Sequence, residues 1–234
     1  MATYVISDIH GHYEKFDKML KKIDLKDEDT LYVLGDILDR GPNPIKTLFK
    51  LMEMPNAICM VGNHELMALE CFKFLTKEIT EESLQDLDEE TIDNYLCWQN
   101  NGCDTTIAEF RALTLDQRQQ VIDFIREFLI YEELTVKGKK YLLVHAGLGN
   151  YSPEKDIEDY SLKELIWDRA AYNIRYYPDT FVVTGHTPTQ YIEENPNPGS
   201  IYKGNNHIAI DCGCCIPGGR LAAICLDTWE EYYV

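Results

Sequence analysis

Within its first 75 residues the chain passes three times from a short β-rich apolar run, through a polar turn, to apolar positions at helical spacing. Residues 3–6 (TYVI) lead through SDIHGH into YEKFDKMLKKI. Residues 30–35 (TLYVLG) lead through DILDRGPNP into IKTLFKLME, a helix whose start is marked by proline. Residues 56–61 (NAICMV) lead through GNHE into LMALECFKFL. Strand–turn–helix units in series predict parallel strands joined by crossover helices. Residues 78–130 carry no strand signal and read as a helical, acidic insertion, with LDQRQQVIDFIREFL its clearest helix. Beyond it the pattern changes to paired strands, ELTVKG and KKYLLV, joined by a turn at Lys137–Gly138, with further strands expected at 180–184, 189–193, 207–211 and 221–226. The expected fold is α/β: two mixed sheets packed as a β-sandwich, flanked by helices, in one domain over 1–234 with a helical cap at 78–130.

Composition narrows the function classes. A hydrophobic fraction of 45% over 234 residues supports a sizeable buried core. No apolar stretch approaches the roughly 18 residues of a membrane span, so no membrane partner is expected. The opening MATYVISDIHG lacks the basic and long apolar segments of a signal peptide, and the expected location is cytoplasmic. A net charge of −18, from 40 acids against 22 bases, opposes duplex nucleic acid or an anionic surface as partner. The acids gather at 24–29, 78–93 and 154–164, which read as solvated faces or helix starts. Eight cysteines are expected as reduced thiols, with Cys59, Cys97 and Cys225 as small core residues. The DCGCC run (Cys212, Cys214, Cys215), near His207, has no second cysteine pair to complete a zinc site and reads as a buried strand-end turn.

Chemistry concentrates just after strands: Asp8 and His10, Asp36 and Asp39, Asn63 and His64, His145, and His186. Loops at the carboxyl ends of parallel strands are where open α/β folds bind ligands. One histidine after a strand is ordinarily a hydrogen-bonded structural residue; so many metal-competent groups at successive strand ends point to a metal site. Aspartate, histidine and asparagine together suit Mn²⁺, Fe or Zn better than Ca²⁺. Two divalent cations would outweigh the carboxylates of Asp8 and Asp36 and leave a site that attracts phosphate.

The motifs SDIHG (7–11), GDILDRG (35–41), GNHE (62–65), HAG (145–147) and GHTP (185–188) resemble, in order and spacing, the phosphoprotein phosphatase branch of the calcineurin-like metallophosphoesterases, in its small bacterial and bacteriophage form. WDR (167–169) also has a counterpart there. The resemblance implies two divalent metal ions, Mn²⁺ foremost, with Asp8 and His10 on one, Asp36 bridging, and Asn63, His145 and His186 on the other. It implies direct attack on phosphorus by a hydroxide that bridges the metals. His64 would protonate the leaving group with Asp39 orienting it, and Arg40 and Arg169 would grip phosphoryl oxygens. Glu65 is expected to support its loop by hydrogen bonding, His12 to be exposed or to cap the first helix, and His207 to be structural.

Two departures bear on substrate. Ser7 replaces the usual glycine of the first motif, a mild change. Val61 stands where phosphatases of this type commonly carry an arginine that binds phosphate, a loss of about 1.5–3 kcal/mol of anchoring. The related symmetrical dinucleoside tetraphosphatases commonly have an aliphatic residue there, but an aspartate in place of Glu65. The first expectation is a phosphomonoesterase of the Ser/Thr protein phosphatase type acting on a phosphorylated protein or peptide. The alternative is a symmetrical dinucleoside tetraphosphatase acting on a nucleotide substrate, with Tyr95 or Trp98 of the insertion available to stack a base. A silent binding module is a third class, which the intact metal set and His64 oppose.

Overall fold

Side chains alternate along each strand, and this alternation divides the core into layers. Tyr4 and Ile6 join one cluster and Val5 another; Leu31 and Val33 split from Tyr32 in the same way, as do Ala223 and Cys225 from Ala222 and Ile224. The structure, a computed structural model, describes residues 1–76 and 88–234. The first sheet holds β1 (Thr3–Ile6), β2 (Thr30–Val33), β3 (Ala57–Cys59), β9 (Ala222–Cys225) and β10 (Glu231–Tyr233), in the order β10-β9-β1-β2-β3. Its β1, β2 and β3 are parallel, while β9 runs antiparallel to β1. The second sheet holds β4 (Tyr131–Val136), β5 (Lys139–Val144), β6 (Thr180–Thr184), β7 (Tyr202–Gly204) and β8 (His207–Ala209), in the order β4-β5-β6-β8-β7.

Val5, Tyr32 and Ile224 of the first sheet meet Tyr141, Leu143, Val183 and Ile208 of the second in the inter-sheet core. Helices α1 (Tyr13–Ile23), α2 (Pro44–Met52) and α3 (Asn63–Leu75) cover the other face of the first sheet. The insertion continues this layer as α4 (Glu89–Asn100), α5 (Asp104–Arg111) and α6 (Leu115–Arg126). It is anchored by Phe72 of α3, whose ring stacks on Phe110 at 3.8 Å and meets Trp98 edge-on at 5.7 Å. The outer face of the second sheet is covered by α7 (Leu162–Ile166) together with Tyr160, Tyr172 and Tyr176. The expected two-sheet sandwich, its helical flanks and the parallel βα units are therefore present. Among the described residues no helix is long and apolar enough to cross a membrane.

Several local expectations need correction. The strand expected at 189–193 is a 3-10 turn, Thr189–Tyr191, because Pro188 ends the extended run and its carbonyl accepts the Tyr191 N–H at 2.8 Å. GNHE is not a turn leading to a helix at residue 66; α3 already starts at Asn63, with extended Gly62 as its N-cap. The strands expected at 207–211 and 221–226 are shorter, and β7 and β10, three residues each, gave no period-2 run long enough to signal them. Cys97, expected in the core, is exposed on α4, while Cys59 and Cys225 are buried. The acidic run 78–93 falls partly outside the described residues; its described end, Asp88, caps α4 by accepting the Thr91 N–H at 2.8 Å.

Leu143 is fully buried between the sheets. Leu143→Ala should cost about 2–5 kcal/mol in urea unfolding, and a loss under about 1 kcal/mol would contradict this packing.

Candidate metal centre and active site

The site is assembled where β1, β2, β3, β5 and β6 end. Asp8, His10, Asp36, Asp39, Arg40 and His186 all hold positive φ, between 46° and 70°. Left-handed backbone in non-glycine residues is strained and persists only where neighbours over-determine it. Much of that constraint comes from Glu65, which is fully buried and accepts the N–H groups of Asp36 and Ile37 (both 2.8 Å), Gly62 (3.0 Å) and Leu38 (3.1 Å). One carboxylate thus ties the loop after β2 to the first turn of α3. The approach is so close that a Cβ at Gly62 would lie 2.2 Å from Asp36 Oδ1, so position 62 admits only glycine.

Within this frame the expected metal residues come together. His10 Nδ1 donates to Leu38 O at 2.9 Å and His145 Nδ1 to Leu34 O at 2.5 Å, which leaves each Nε2 unprotonated, with its lone pair free to hold a metal. These Nε2 atoms lie 3.6 Å and 3.3 Å from the two oxygens of Asp36. Asn63 Oδ1 lies 3.1 Å from His145 Nε2 and 3.0 Å from His186 Nδ1. Among the described residues two groups have donor atoms all within 4.8 Å of one another: His10, Asp36 and His64, and Asp36, His145 and His186. Asp36 is common to both. Asp8 belongs to neither group; it contacts the Ser7 hydroxyl and accepts the His186 N–H.

Burial sets the electrostatics. It raises Asp8 and Asp36 well above the ordinary carboxyl range, with Asp211 adding to the first and Asp8 to the second. It holds His10 and His145 well below the ordinary imidazole range. Burial, then the Arg169 charge, lowers His186 to about 4. Buried carboxyls crowded together beside neutral imidazoles are a donor set that a divalent cation would relieve, and the residues present fit such an ion.

His64 and Asp39 form a separate buried pair. His64 Nδ1 lies 2.5 Å from Asp39 Oδ2, and the His64 N–H reaches Asp36 Oδ1 at 3.2 Å. Arg40 spans the front of the site, with Nη1 2.9 Å from His10 Nε2 and Nη2 2.9 Å from His64 Nε2. Arg169 is exposed and near enough to act on His186. Val61 is buried among Leu142, Val144 and Leu165, with Leu66 and Trp167 packed against them.

Asp211 joins the site without having been expected there, because the strand expected over 207–211 stops at Ala209. Asp211 follows β8, is buried, is raised by that burial to about 6, and acts on Asp8. Cys212 and Cys214 are buried in the turn, while Cys215 Sγ lies 3.6 Å from Arg40 Nη1. His207 is remote from them in function: its Nε2 donates to Ile174 O at 2.9 Å, and Tyr172 and Tyr176 flank its ring. His12 stands half-buried at the N-cap of α1 without a side-chain cap bond. Trp98 is wholly buried and so is closed to a stacked base, whereas Tyr95 is partly exposed.

Residues 1–218 match the family profile described as calcineurin-like phosphoesterase. A symmetrical bis(5'-nucleosyl)-tetraphosphatase of Delftia acidovorans is 28% identical over 151 residues, 63% of this chain and 45% of that relative, so the match spans less than half of the relative's length. Its namesake from Enterobacter sp. (strain 638) is 25% identical over 99% of this chain and 72% of its own length. A crystal structure provisionally named a diadenosine tetraphosphatase superposes with a TM-score of 0.66 at 17% identity, covering 99% of this chain and 92% of that one, a likeness of fold.

Glu65→Gln replaces an oxygen acceptor by a donor facing backbone N–H groups. It should lower stability by at least about 1–3 kcal/mol and reduce bound divalent metal in parallel. Wild-type metal content in a folded variant would show that Glu65 does not set the donor positions.

Proposed function

The chain belongs to the calcineurin-like phosphoesterase family of metal-dependent hydrolases, and from that premise we propose that it cleaves a phosphoanhydride of a dinucleoside polyphosphate, the second of the two substrates considered from sequence. Val61 is the observation that carries this choice. The position is buried in apolar company, so residue 61 supplies no cation for a terminal phosphate. Leu66, Leu162 and Trp167, which pack against the cluster that holds Val61, also line a shallow apolar cleft with Lys163. The naming of the curated relatives supports the same reading. Phosphomonoester hydrolysis of the Ser/Thr phosphatase type keeps one specific support, Glu65 with its four backbone partners.

Asp8, His10, Asp36, Asn63, His145 and His186 would hold two divalent cations, Mn²⁺ foremost for this oxygen and nitrogen donor set, with Fe or Zn as alternatives. Such ions supply Lewis-acid polarisation of the phosphoryl group and hydroxide from water near neutral pH. The chain's own groups do the rest. His64 donates the proton at Nε2 to the departing oxygen, while its Nδ1–H stays on Asp39. Burial and then the Arg40 charge disfavour the His64 cation, so the Asp39 carboxylate and an arriving phosphate must offset them. Arg40, already held across His10 and His64, turns its two N–H edges to phosphoryl oxygens, and Arg169 meets the substrate from the solvent side.

With Mn²⁺, the protein should hydrolyse diadenosine tetraphosphate at least about tenfold faster than phosphoserine, phosphothreonine or phosphotyrosine peptides at equal concentration. A preference for the peptides would return the assignment to a protein phosphatase. It should also turn over p-nitrophenyl phosphate, and chelation should abolish all activity. His64→Asn should lower turnover by about 10²–10⁴ with metal content unchanged; retained turnover would remove His64 from the chemistry.

A further inference from the structure

One segment of the insertion, residues 98–106, holds both members of the Asp39–Arg40 pair. Trp98 Nε1 donates to Asp39 Oδ2 at 2.7 Å. Thr106 Oγ1 donates to Asp39 Oδ1 at 2.6 Å and accepts the Asp39 N–H at 2.9 Å. Between them the chain turns, and there the Gly102 carbonyl accepts the Arg40 N–H at 3.0 Å and the Asn101 carbonyl accepts from Arg40 Nε at 3.4 Å. Gly102 has φ +91°, and a Cβ there would stand 3.2 Å from Arg40 Cγ.

A core tryptophan needs some acceptor for its buried N–H, and a backbone carbonyl would serve. Here the acceptor is the carboxylate that also receives His64 Nδ1, and a second side chain from the next helix takes its other oxygen. Three donors fill Asp39 and fix its plane. Asp39, Trp98, Thr106 and His64 all have no solvent exposure, so no water can substitute for a lost donor without repacking. The plane of Asp39 in turn fixes the ring of His64 and the direction of its Nε2. The same segment fixes the strained backbone of Arg40.

We propose that residues 98–106 are a positioning clamp: Trp98 and Thr106 aim the proton-donating nitrogen of His64 through Asp39, and Gly102 sets phosphate affinity through Arg40. The proposal rests on the reading of His64 as proton donor. It gives the insertion a part in the chemistry itself. It also predicts that the two halves of the clamp fail in different ways.

Loss of acid aiming hurts poor leaving groups far more than good ones, whereas general loss of structure hurts both equally. Thr106→Val and Trp98→Phe, assayed with Mn²⁺, should lower kcat on phenyl phosphate by about tenfold or more and on p-nitrophenyl phosphate by less than about threefold. Thr106→Ser keeps the hydroxyl and should restore the wild-type ratio of the two esters, which guards against a misfolded valine variant. Gly102→Ala should leave that ratio unchanged and weaken inorganic phosphate about tenfold, read by calorimetry as well as by inhibition. Equal losses on both esters in Thr106→Val, or no rescue by Thr106→Ser, overturn the aiming role. Unchanged phosphate affinity in Gly102→Ala overturns the other half. His64→Asn is the reference: if it separates the two esters and Thr106→Val does not, only the clamp falls. If His64→Asn treats both esters alike, the proton-donor reading falls and the clamp's aiming role with it.

Discussion

The hydrogen bonds from four backbone N–H groups to the buried carboxylate of Glu65 are the constraint on which the centre depends. Two of the peptides it holds, at Asp36 and Gly62, belong to separate strand ends, and a side chain at Gly62 would collide with Asp36. Charge-assisted bonds to a desolvated carboxylate are strong and costly to leave unmade. They offset the left-handed backbone at Asp36 and Asp39 and bring Asp36 against His145 and the His64 N–H. Backbone bonds from His10 and Gly11 to the Asp36 and Ile37 carbonyls tie the loops after β1 and β2, and Glu65 adds the loop after β3 to them.

Convergence creates an electrostatic problem that the polypeptide answers only in part. Asp8, Asp36 and Asp211 are buried near one another, and each is pushed toward its neutral form. The imidazoles around them are held neutral by the same burial. Arg40 is a cation that the chain itself brings to the cluster, its guanidinium bridging His10 and His64, while the Arg169 charge acts on His186. The Arg40 charge acts on Asp8, Asp36 and Asp211, yet burial still keeps all three raised, and a divalent ion would supply more concentrated positive charge there. The family's dependence on metals and the local imbalance are thus two views of the same burial.

Much of this was legible in the sequence because it follows short-range rules. The βα rhythm placed β1, α1 and β2 almost to the residue, since each is long enough to show its period. The metal-competent residues were legible because strand ends concentrate them. Less legible were β7, β10 and α7, whose lengths of three to five residues fall below what periodicity can signal. The start of α3 was misplaced because its N-cap is Gly62, and the cap bond comes from Glu65 already inside the helix. Asp211 was not legible because the apolar run suggested a strand through residue 211, whereas β8 stops at Ala209 and leaves Asp211 in the loop.

The sequence by itself determined the layers and the family, and it marked candidate metal residues, because alternation and motif spacing are local properties of the chain. Only the tertiary structure decided how those groups face one another. It turned Asp8 to Ser7 and His186, set Arg40 across two imidazoles, and buried Trp98 and Thr106 of the insertion on Asp39. Residues 39 and 106 are 67 positions apart, and no periodicity reaches across that distance. Their contact exists because Phe72, Phe110 and Trp98 pack the insertion onto the helical layer, leaving a buried carboxylate and a buried indole each with the other as partner.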